Sequence, residues 1–141
     1  PFYPAAHLRP EIQKWTDSPM LILHGDADDW TPLHFVESLM PQLPNAHLHT
    51  YSGAHHSFDS ELEYALLPKA VHLNKRTARI DKNGHMSGNL FLGIRWPLNQ
   101  RWQRRWVIRI LRNRGAHVEG NPAARADSMV RARAFFVEKL R

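Results

Sequence analysis

With 141 residues, 43% of them hydrophobic, the chain suits one globular domain or part of one, and no apolar run reaches the roughly 20 residues that cross a bilayer. It contains no cysteine, which excludes disulfides, thiolate metal sites and a cysteine nucleophile within these residues. The net charge of +6 combines a basic segment, residues 71–114 with eleven Lys or Arg against one acid, and a remainder with eight basic and twelve acidic residues.

The first predicted elements are a strand and a helix. The chain starts without Met and without a signal-peptide pattern, so we expect an internal cut of a longer protein and leave the compartment open. Residues 19–24 form a short apolar run before Gly25, which predicts a strand buried on both faces of a parallel sheet. Thr31 as N-cap and Pro32 at the first helical position then predict a helix that ends by Pro41. Its apolar positions are Val36, Leu39, Met40 and Leu43.

Residues 47–51 predict a second strand, which ends at a Ser-Gly pair. Strand, helix and strand make a βαβ unit, in which the loops at the carboxyl ends of the parallel strands open on the same edge of the sheet. Asp28 and His56 follow the two strands and are 28 positions apart in sequence. We therefore expect them to be neighbours in space.

The remainder of the chain gives one clear helix. Asn121 and Pro122 repeat the cap-and-proline pattern and predict a final helix over about 122–140. Its apolar positions are Ala126, Val130, Ala134, Val137 and Leu140 or Arg141. Residues 61–71 are compatible with a helix broken at Pro68, and residues 72–93 show no periodicity, which predicts a loop.

The two loops of the βαβ unit carry an acid and a base in the chain order of a hydrolase triad, where the nucleophile precedes the acid and the acid precedes the histidine. The acid holds the imidazole in the correct tautomer and stabilises the imidazolium. An alternative is a polar turn before a helix, with one carboxylate favoured by the helix dipole. Position alone does not select Asp28 over Asp29, or His56 over His55.

Metal and cofactor sites are weakly supported. Asp26, Asp28 and Glu37 match positions 1, 3 and 12 of a calcium-loop template, but Trp30 and Thr31 occupy places that need a ligand and a glycine. The histidines lack the spacing of a zinc helix, and no glycine-rich phosphate loop is present. Residues 84–88 resemble a nucleophile elbow, but the serine is out of register and follows the histidine. We expect no metal and no cofactor.

Residues 19–32 (PMLILHGDADDWTP) and 51–59 (YSGAHHSFD) resemble the C-terminal half of a dienelactone hydrolase family protein. Residues 121–124 with the closing helix are similar to the C-terminal element of that family. The resemblance covers about half of the chain. It implies an α/β fold, namely the C-terminal half of an α/β-hydrolase with a parallel sheet flanked by helices and a basic insert.

The same resemblance assigns the family's acid to Asp28 and its histidine to His56. It implies hydrolysis of a small-molecule ester or lactone by a nucleophile, histidine and acid. The nucleophile, Cys or Ser, lies upstream of both in the family, and the 27 residues before Asp28 contain no elbow. We therefore expect the chain alone to be inactive. Because half of a sheet has uncovered edges, we also expect it to be marginally stable or to self-associate.

This interpretation divides the chain into a hydrolase part at residues 1–71, a basic Arg/Trp-rich insert at 72–118 and a closing helix of the first domain at 119–141. Within the insert, arginines at 101, 105, 109 and 112 share one face of a predicted helix, and Trp102, Trp106 and Ile110 share another. Residues 95–114 therefore predict weak binding of an anionic membrane, a nucleic acid or an acidic partner. The alternative function for the chain is a non-catalytic binding module that acts through this segment. A helix that packs its tryptophans on the domain is the alternative, and out-of-frame translation of 72–118 is a third hypothesis that resequencing the DNA would test.

Overall fold

The computed structural model describes residues 2–4, 18–73, 76–81, 85–89, 91–98 and 100–139. It begins with the predicted βαβ unit: β1 (Met20–Gly25), α1 (Leu33–Leu39), a 3-10 turn at Met40–Gln42, and β2 (Ala46–Tyr51). The two strands pair in parallel, from Met20 opposite Ala46 to Gly25 opposite Tyr51. Both strands and the helix agree with the elements predicted from apolar periodicity.

Thr31 was predicted as the N-cap of α1, and this is wrong. The residue at the cap position is Pro32, and no side chain caps the helix. The Thr31 hydroxyl instead donates to the Asp28 carboxylate at 2.7 Å. An N-cap hydroxyl accepts a bond from a backbone N–H of the helix, whereas this hydroxyl donates to a carboxylate, and a bond to a charged acceptor is stronger than one to a neutral partner.

The closing helix α3 (Pro122–Lys139) forms where the sequence places it, although Leu140 and Arg141 lie outside the described residues. The Asn121 side chain accepts a hydrogen bond from the backbone N–H of Ala124 at 3.0 Å, which confirms the predicted cap. The predicted apolar face is wrong, because Ala124 and Ser128 are buried whereas Val130 is 67% exposed. The small side chains let the helix approach Leu23, Tyr51 and Phe58 closely.

Residues 61–71 contain no broken helix. They lead into β3 (Ala65–His72), which pairs antiparallel with β7 (Asn113–Val118), so two segments about 40 residues apart in sequence satisfy each other's backbone groups. The predicted loop at 72–93 is also corrected where it is described. β4 (Ala78–Ile80), β5 (Met86–Asn89) and β6 (Arg95–Pro97) form an antiparallel sheet, with a 3-10 turn at Phe91–Gly93 between β5 and β6.

The predicted basic helix is α2 (Arg101–Leu111), and Arg112 lies just beyond it. Helices and strands in these proportions are consistent with an α/β class. Among the described strands, however, the parallel pairing of full strands is limited to β1 and β2, and the other sheets are small and antiparallel. None of the described helices has the length and apolar character of a membrane span.

Two apolar clusters lie on opposite sides of β1. On one side, Ile22 packs with side chains of α1 and with residues of the insert. The buried insert residues in this cluster are Leu73, Ala78, Ile80, Met86 and Leu98. On the other side, Leu23 packs with Tyr51, Ala54, Phe58 and Ala124. The insert is therefore part of the core. Successive side chains of β1 point to opposite faces, so this strand contributes to both clusters.

The loops after β1 and β2 approach each other at Gly25. A Cβ atom on Gly25 would lie 2.0 Å from the backbone oxygen of Ala54, far inside van der Waals contact. The backbone N–H of Ala27 donates to that same oxygen at 3.2 Å. Glycine is needed here because the two backbones touch, and this contact sets the distance between the acid loop and the base loop.

Gly25→Ala is expected to destabilise the fold by about 1–3 kcal/mol, because the added methyl group must push the two loops apart. The free energy of unfolding in urea measures the effect. Gly53→Asn is the matched control, since no atom lies within 4 Å of a Cβ there and asparagine tolerates its φ of +69°. Equal stability of Gly25→Ala and the wild type would contradict the close approach.

Candidate functional site

Asp28 lies in the turn between β1 and α1, and its carboxylate is buried. Oδ1 accepts hydrogen bonds from the backbone N–H groups of Trp30 at 2.9 Å and Thr31 at 2.7 Å. Oδ2 accepts the Thr31 hydroxyl at 2.7 Å. This is an Asx-type turn, which the sequence encodes as an Asp followed three positions later by Thr. The turn fixes the carboxylate before any partner from another loop is added.

His56 supplies the remaining donor to that carboxylate. Its Nδ1 lies 2.9 Å from Oδ2 of Asp28, and the Thr31 hydroxyl oxygen lies 3.3 Å from the same nitrogen. The His56 side chain is 14% exposed, and the Asp28 side chain is 0% exposed. Because an ionised carboxylate is only an acceptor, Nδ1–H is the donor and the lone pair lies on Nε2. The arrangement leaves a proton-accepting nitrogen at a largely enclosed but accessible position.

The backbone of His56 is held by the strand that ends the insert. His56 forms a parallel bridge with Val118, and its carbonyl oxygen accepts the N–H of Glu119 at 3.1 Å. The next turn is held in the same way, since Phe58 accepts the N–H of Asn121 at 2.9 Å. The base loop is thus fixed between β2 and the segment from β7 to α3. These backbone bonds fix the position of the His56 main chain, and the orientation of its ring is set by the contacts of the ring itself.

Burial by itself would raise the pKa of Asp28, because it disfavours the charged form. Hydrogen bonds from His56 and Thr31, together with the charge of the imidazolium, outweigh burial and hold the pKa of Asp28 below its ordinary value. Asp28 is therefore ionised at neutral pH in spite of its burial. An ionised, hydrogen-bonded carboxylate is what a general-base histidine needs beside its Nδ1.

Two aromatic rings enclose the imidazole. The ring centroid of His56 lies 4.3 Å from that of Tyr3 and 4.7 Å from that of Trp30. Tyr3 is anchored by its N–H to Leu23 at 2.8 Å and by its hydroxyl to Asp59 at 2.9 Å. Burial, followed by the hydrogen bond and charge of Asp59, raises the pKa of Tyr3 to about 12, so the phenol stays neutral. These rings limit the positions that the imidazole can adopt.

The other two acids of the turn, Asp26 and the alternative Asp29, have other partners. Asp26 accepts the N–H of Gly53 at 2.6 Å and so ties the two loops together. Asp29 accepts the N–H of His117 at 2.8 Å, and its Oδ2 lies 2.7 Å from Nδ1 of the same residue. Each acid of the turn therefore has a different partner, and the structure brings Asp28 to His56.

His55 has a different environment. Its Nε2 lies 3.9 Å from an oxygen of Glu119, and its ring makes an edge contact with Tyr64 at 5.4 Å between centroids. The His55 side chain is 22% exposed and points to the side of Glu119 and Tyr64, away from the Asp28 contact. The structure thus separates two histidines that are adjacent in sequence, and the acid–histidine pair is Asp28 and His56.

The weaker sequence motifs do not assemble. Asp26, Asp28 and Glu37 do not converge, because the first two have the partners given above and Glu37 lies on the exposed face of α1. Across the described ranges, no group of three or more His, Asp or Glu side chains is arranged to hold a metal ion. Ser87 lies inside strand β5, opposite Arg79 and Pro97, and Gly84 lies outside the described residues. That serine is a strand residue and not an elbow.

Sequence reasoning missed three contributors to the site. Thr31 was assigned to the helix cap although it supports Asp28, and the Asp-to-Thr spacing is the signal that indicates this role. Tyr3 reaches the His56 ring from 53 positions away, and His117 reaches Asp29 from 88 positions away. Neither long-range contact has a local signal in the sequence.

Comparison with known proteins supports a relation to the α/β-hydrolase superfamily. Residues 2–63 match the family model described as TAP-like protein, which belongs to the α/β-hydrolase superfamily. The match spans the acid loop and the base loop, and it supports the α/β-hydrolase superfamily without supporting the dienelactone hydrolase family in particular. No curated protein and no solved structure matches the chain.

Asp28→Asn is expected to lower the free energy of unfolding at neutral pH, because each donor left without its full acceptor costs about 1–3 kcal/mol. The wild type should also lose stability as pH falls from about 4. The sign follows from the lowered pKa of Asp28, since its contribution is present above the ordinary pKa and disappears as pH falls through the folded-state pKa.

Urea unfolding at neutral and acidic pH measures both effects. Glu37→Gln, on the exposed face of α1, removes the same charge without touching the site and serves as control. The stability difference between wild type and Asp28→Asn should shrink at low pH, whereas the difference for Glu37→Gln should stay small throughout. A constant difference for Asp28→Asn across the acid range would contradict the ionised, stabilising carboxylate.

Proposed function

We propose that this chain provides the acid and the base of a hydrolase triad, with Asp28 orienting His56 as general base. The observation that carries the proposal is the 2.9 Å contact between Nδ1 of His56 and Oδ2 of the buried Asp28. It commits one ring nitrogen to the acid and leaves Nε2 for proton transfer. The family-model match over residues 2–63 supports a hydrolase of the α/β-hydrolase superfamily.

The proposed chemistry is acyl transfer to a nucleophile followed by hydrolysis. His56 Nε2 takes the proton from a Ser or Cys nucleophile as that group attacks the substrate carbonyl carbon. The same proton then goes to the leaving oxygen as the acyl bond to it breaks. In the second half, His56 takes a proton from water, which attacks the acyl group and releases the nucleophile with its proton restored. Asp28 stabilises the imidazolium at both stages.

The nucleophile is proposed to come from a segment outside these 141 residues. The hydroxyl that contacts the His56 ring is that of Thr31, and it lies on the Nδ1 side, where it donates to Asp28. A hydroxyl in that position supports the acid. It lies on the wrong side of the ring to give its proton to Nε2, so it does not serve as the nucleophile. The sequence contains no cysteine, so a Cys nucleophile would have to belong to another part of the parent protein.

The substrate class is proposed to be a small-molecule ester or lactone, as in the dienelactone hydrolase type. The resemblance of residues 19–32 and 51–59 to that family is the argument for it, and the wider superfamily match is compatible with it. The apolar faces of Tyr3 and Trp30 beside the imidazole suit a compact, largely apolar acyl group. No metal or cofactor takes part in the proposed steps.

The first test is to sequence the DNA upstream of the codon for Pro1 and translate the open reading frame. A Gly-x-Ser-x-Gly or Gly-x-Cys-x-Gly elbow is expected there, and a frame without one would overturn the proposed source of the nucleophile. In the protein expressed from that frame, Asp28→Asn should lower kcat for p-nitrophenyl acetate by about 10⁴ with a small change in KM. His56→Ala should lower kcat at least as far.

Asp29→Asn is the matched control, because it removes the neighbouring carboxylate that holds His117 and not His56. It should retain most of the activity. Equal losses in Asp28→Asn and Asp29→Asn would indicate general damage to the turn and would contradict the specific role of Asp28. Turnover by the 141-residue chain alone, abolished by His56→Ala, would place a nucleophile inside this chain and contradict its external origin.

A further inference from the structure

We propose that helix α2 and the segment before it form a surface that binds an anionic phospholipid bilayer. This inference is independent of the proposed hydrolase chemistry, because it rests on the insert and not on the acid–histidine pair. The surface consists of exposed apolar residues together with exposed arginines of α2. The apolar members are Leu92, Ile94, Trp96, Trp102, Trp106 and Ile110. We call this set the Trp/Arg surface.

The large apolar side chains of α2 are exposed to solvent. Trp102 is 62% exposed, Trp106 is 56% exposed and Ile110 is 49% exposed, although all three occupy one stripe of α2 at spacings of four residues. The sequence alternative, in which these tryptophans pack on the domain, is wrong. Large aromatic side chains gathered in this way on the outside of a helix mark an interaction surface.

The insert already packs on the rest of the domain through residues outside α2. Leu73, Ala78, Met86 and Leu98 are buried in the cluster that covers α1 and β1. α2 contacts β5 of the same insert. The apolar residues that the core needs are therefore supplied by the strands, and the exposed stripe of α2 is additional to them. Its exposure is not explained by a poorly packed insert.

The insert and helix α2 carry a strong excess of positive charge. Between Asp81 and Glu119 the sequence contains eight Lys or Arg and no acidic residue. Arg105 and Arg109 are exposed on α2 beside the tryptophan stripe. A basic residue near an anionic leaflet gains free energy from its surface potential, and tryptophan favours the boundary between headgroups and acyl chains. Both kinds of residue on one helix suit a helix that lies in the plane of the interface.

A lipid surface is favoured over a nucleic acid by the aliphatic members of the surface. Leu92 is 100% exposed and Ile94 is 60% exposed, and both precede the arginine-containing helix in the same segment. Aromatic rings and arginines can stack on bases and pair with phosphates, but exposed leucine and isoleucine gain nothing from a polar backbone. They do gain from burial among acyl chains. The combination therefore points to a bilayer.

The test uses the 141-residue chain and vesicles of phosphatidylcholine with or without phosphatidylglycerol. Binding and a blue shift of tryptophan fluorescence are expected with the anionic vesicles at low salt. Binding should weaken as the Debye length falls from about 30 Å at 0.01 M to about 8 Å at 0.15 M ionic strength. Equal binding to vesicles without phosphatidylglycerol would overturn the proposal.

Two double variants separate the contribution of the arginines from that of the tryptophans. Arg105→Gln with Arg109→Gln should weaken binding to anionic vesicles about 30-fold, because each basic residue near the surface contributes about fivefold. Trp102→Ala with Trp106→Ala should weaken binding and reduce the blue shift, to which Trp96 on the same surface still contributes. All four side chains are exposed, so circular dichroism spectra should match the wild type. Any variant with an altered spectrum is replaced by its single substitutions.

The matched controls lie on α3. Arg133→Gln and Phe136→Ala remove an exposed arginine and an exposed aromatic ring from the other helix, and vesicle binding should be unchanged. Equal weakening by these controls would show a nonspecific charge effect and overturn the assignment to α2. Salt-dependent binding of duplex DNA without vesicle binding would assign the Trp/Arg surface to nucleic acid and overturn it as well.

Discussion

The Asp28 carboxylate is the group on which the candidate site depends. It is withdrawn from water, and burial alone would favour its neutral form, but two backbone N–H groups, a hydroxyl and an imidazole supply donors to its two oxygens. These donors belong to the turn before α1 and to the loop after β2, so one charge holds together two parts of the chain. Its ionised form strengthens the hydrogen bonds that join these two parts of the chain.

The choice among three acids in one turn has a physical explanation in the backbone. Asp28 forms the Asx-type turn and therefore points inward, whereas Asp26 and Asp29 on either side of it reach Gly53 and His117. The sequence argument placed an acid loop beside a base loop from strand signals and chain order, and the resemblance to a hydrolase family selected Asp28 and His56. Both residues lie where those signals put them, because each strand and helix of the βαβ unit has its own local signal and the two strands pair in parallel.

The failures of sequence reasoning occur where distant segments decide the structure. Residues 65–72 contain few local signals for a strand, and they become β3 because β7 supplies its backbone partners. The buried face of α3 is set by how close a helix can come to Leu23 and Tyr51, so Ala124 and Ser128 face inward and larger apolar residues face out. Periodicity identifies a helix but does not identify its neighbours, and the site residues Tyr3 and His117 were missed for the same reason.

The pairing of β3 with β7 also explains how the insert coexists with the site. His72 lies opposite Asn113, so the chain leaves and re-enters the fold at adjacent positions of one ladder. Closing such an excursion costs an entropy that grows only slowly with its length. At the end of β7, Val118 and the following Glu119 hold the backbone of His56. The insert therefore contributes strands to the core, ends at the site and still presents α2 outward. The proposed bilayer surface and the acid–histidine pair thus belong to one framework.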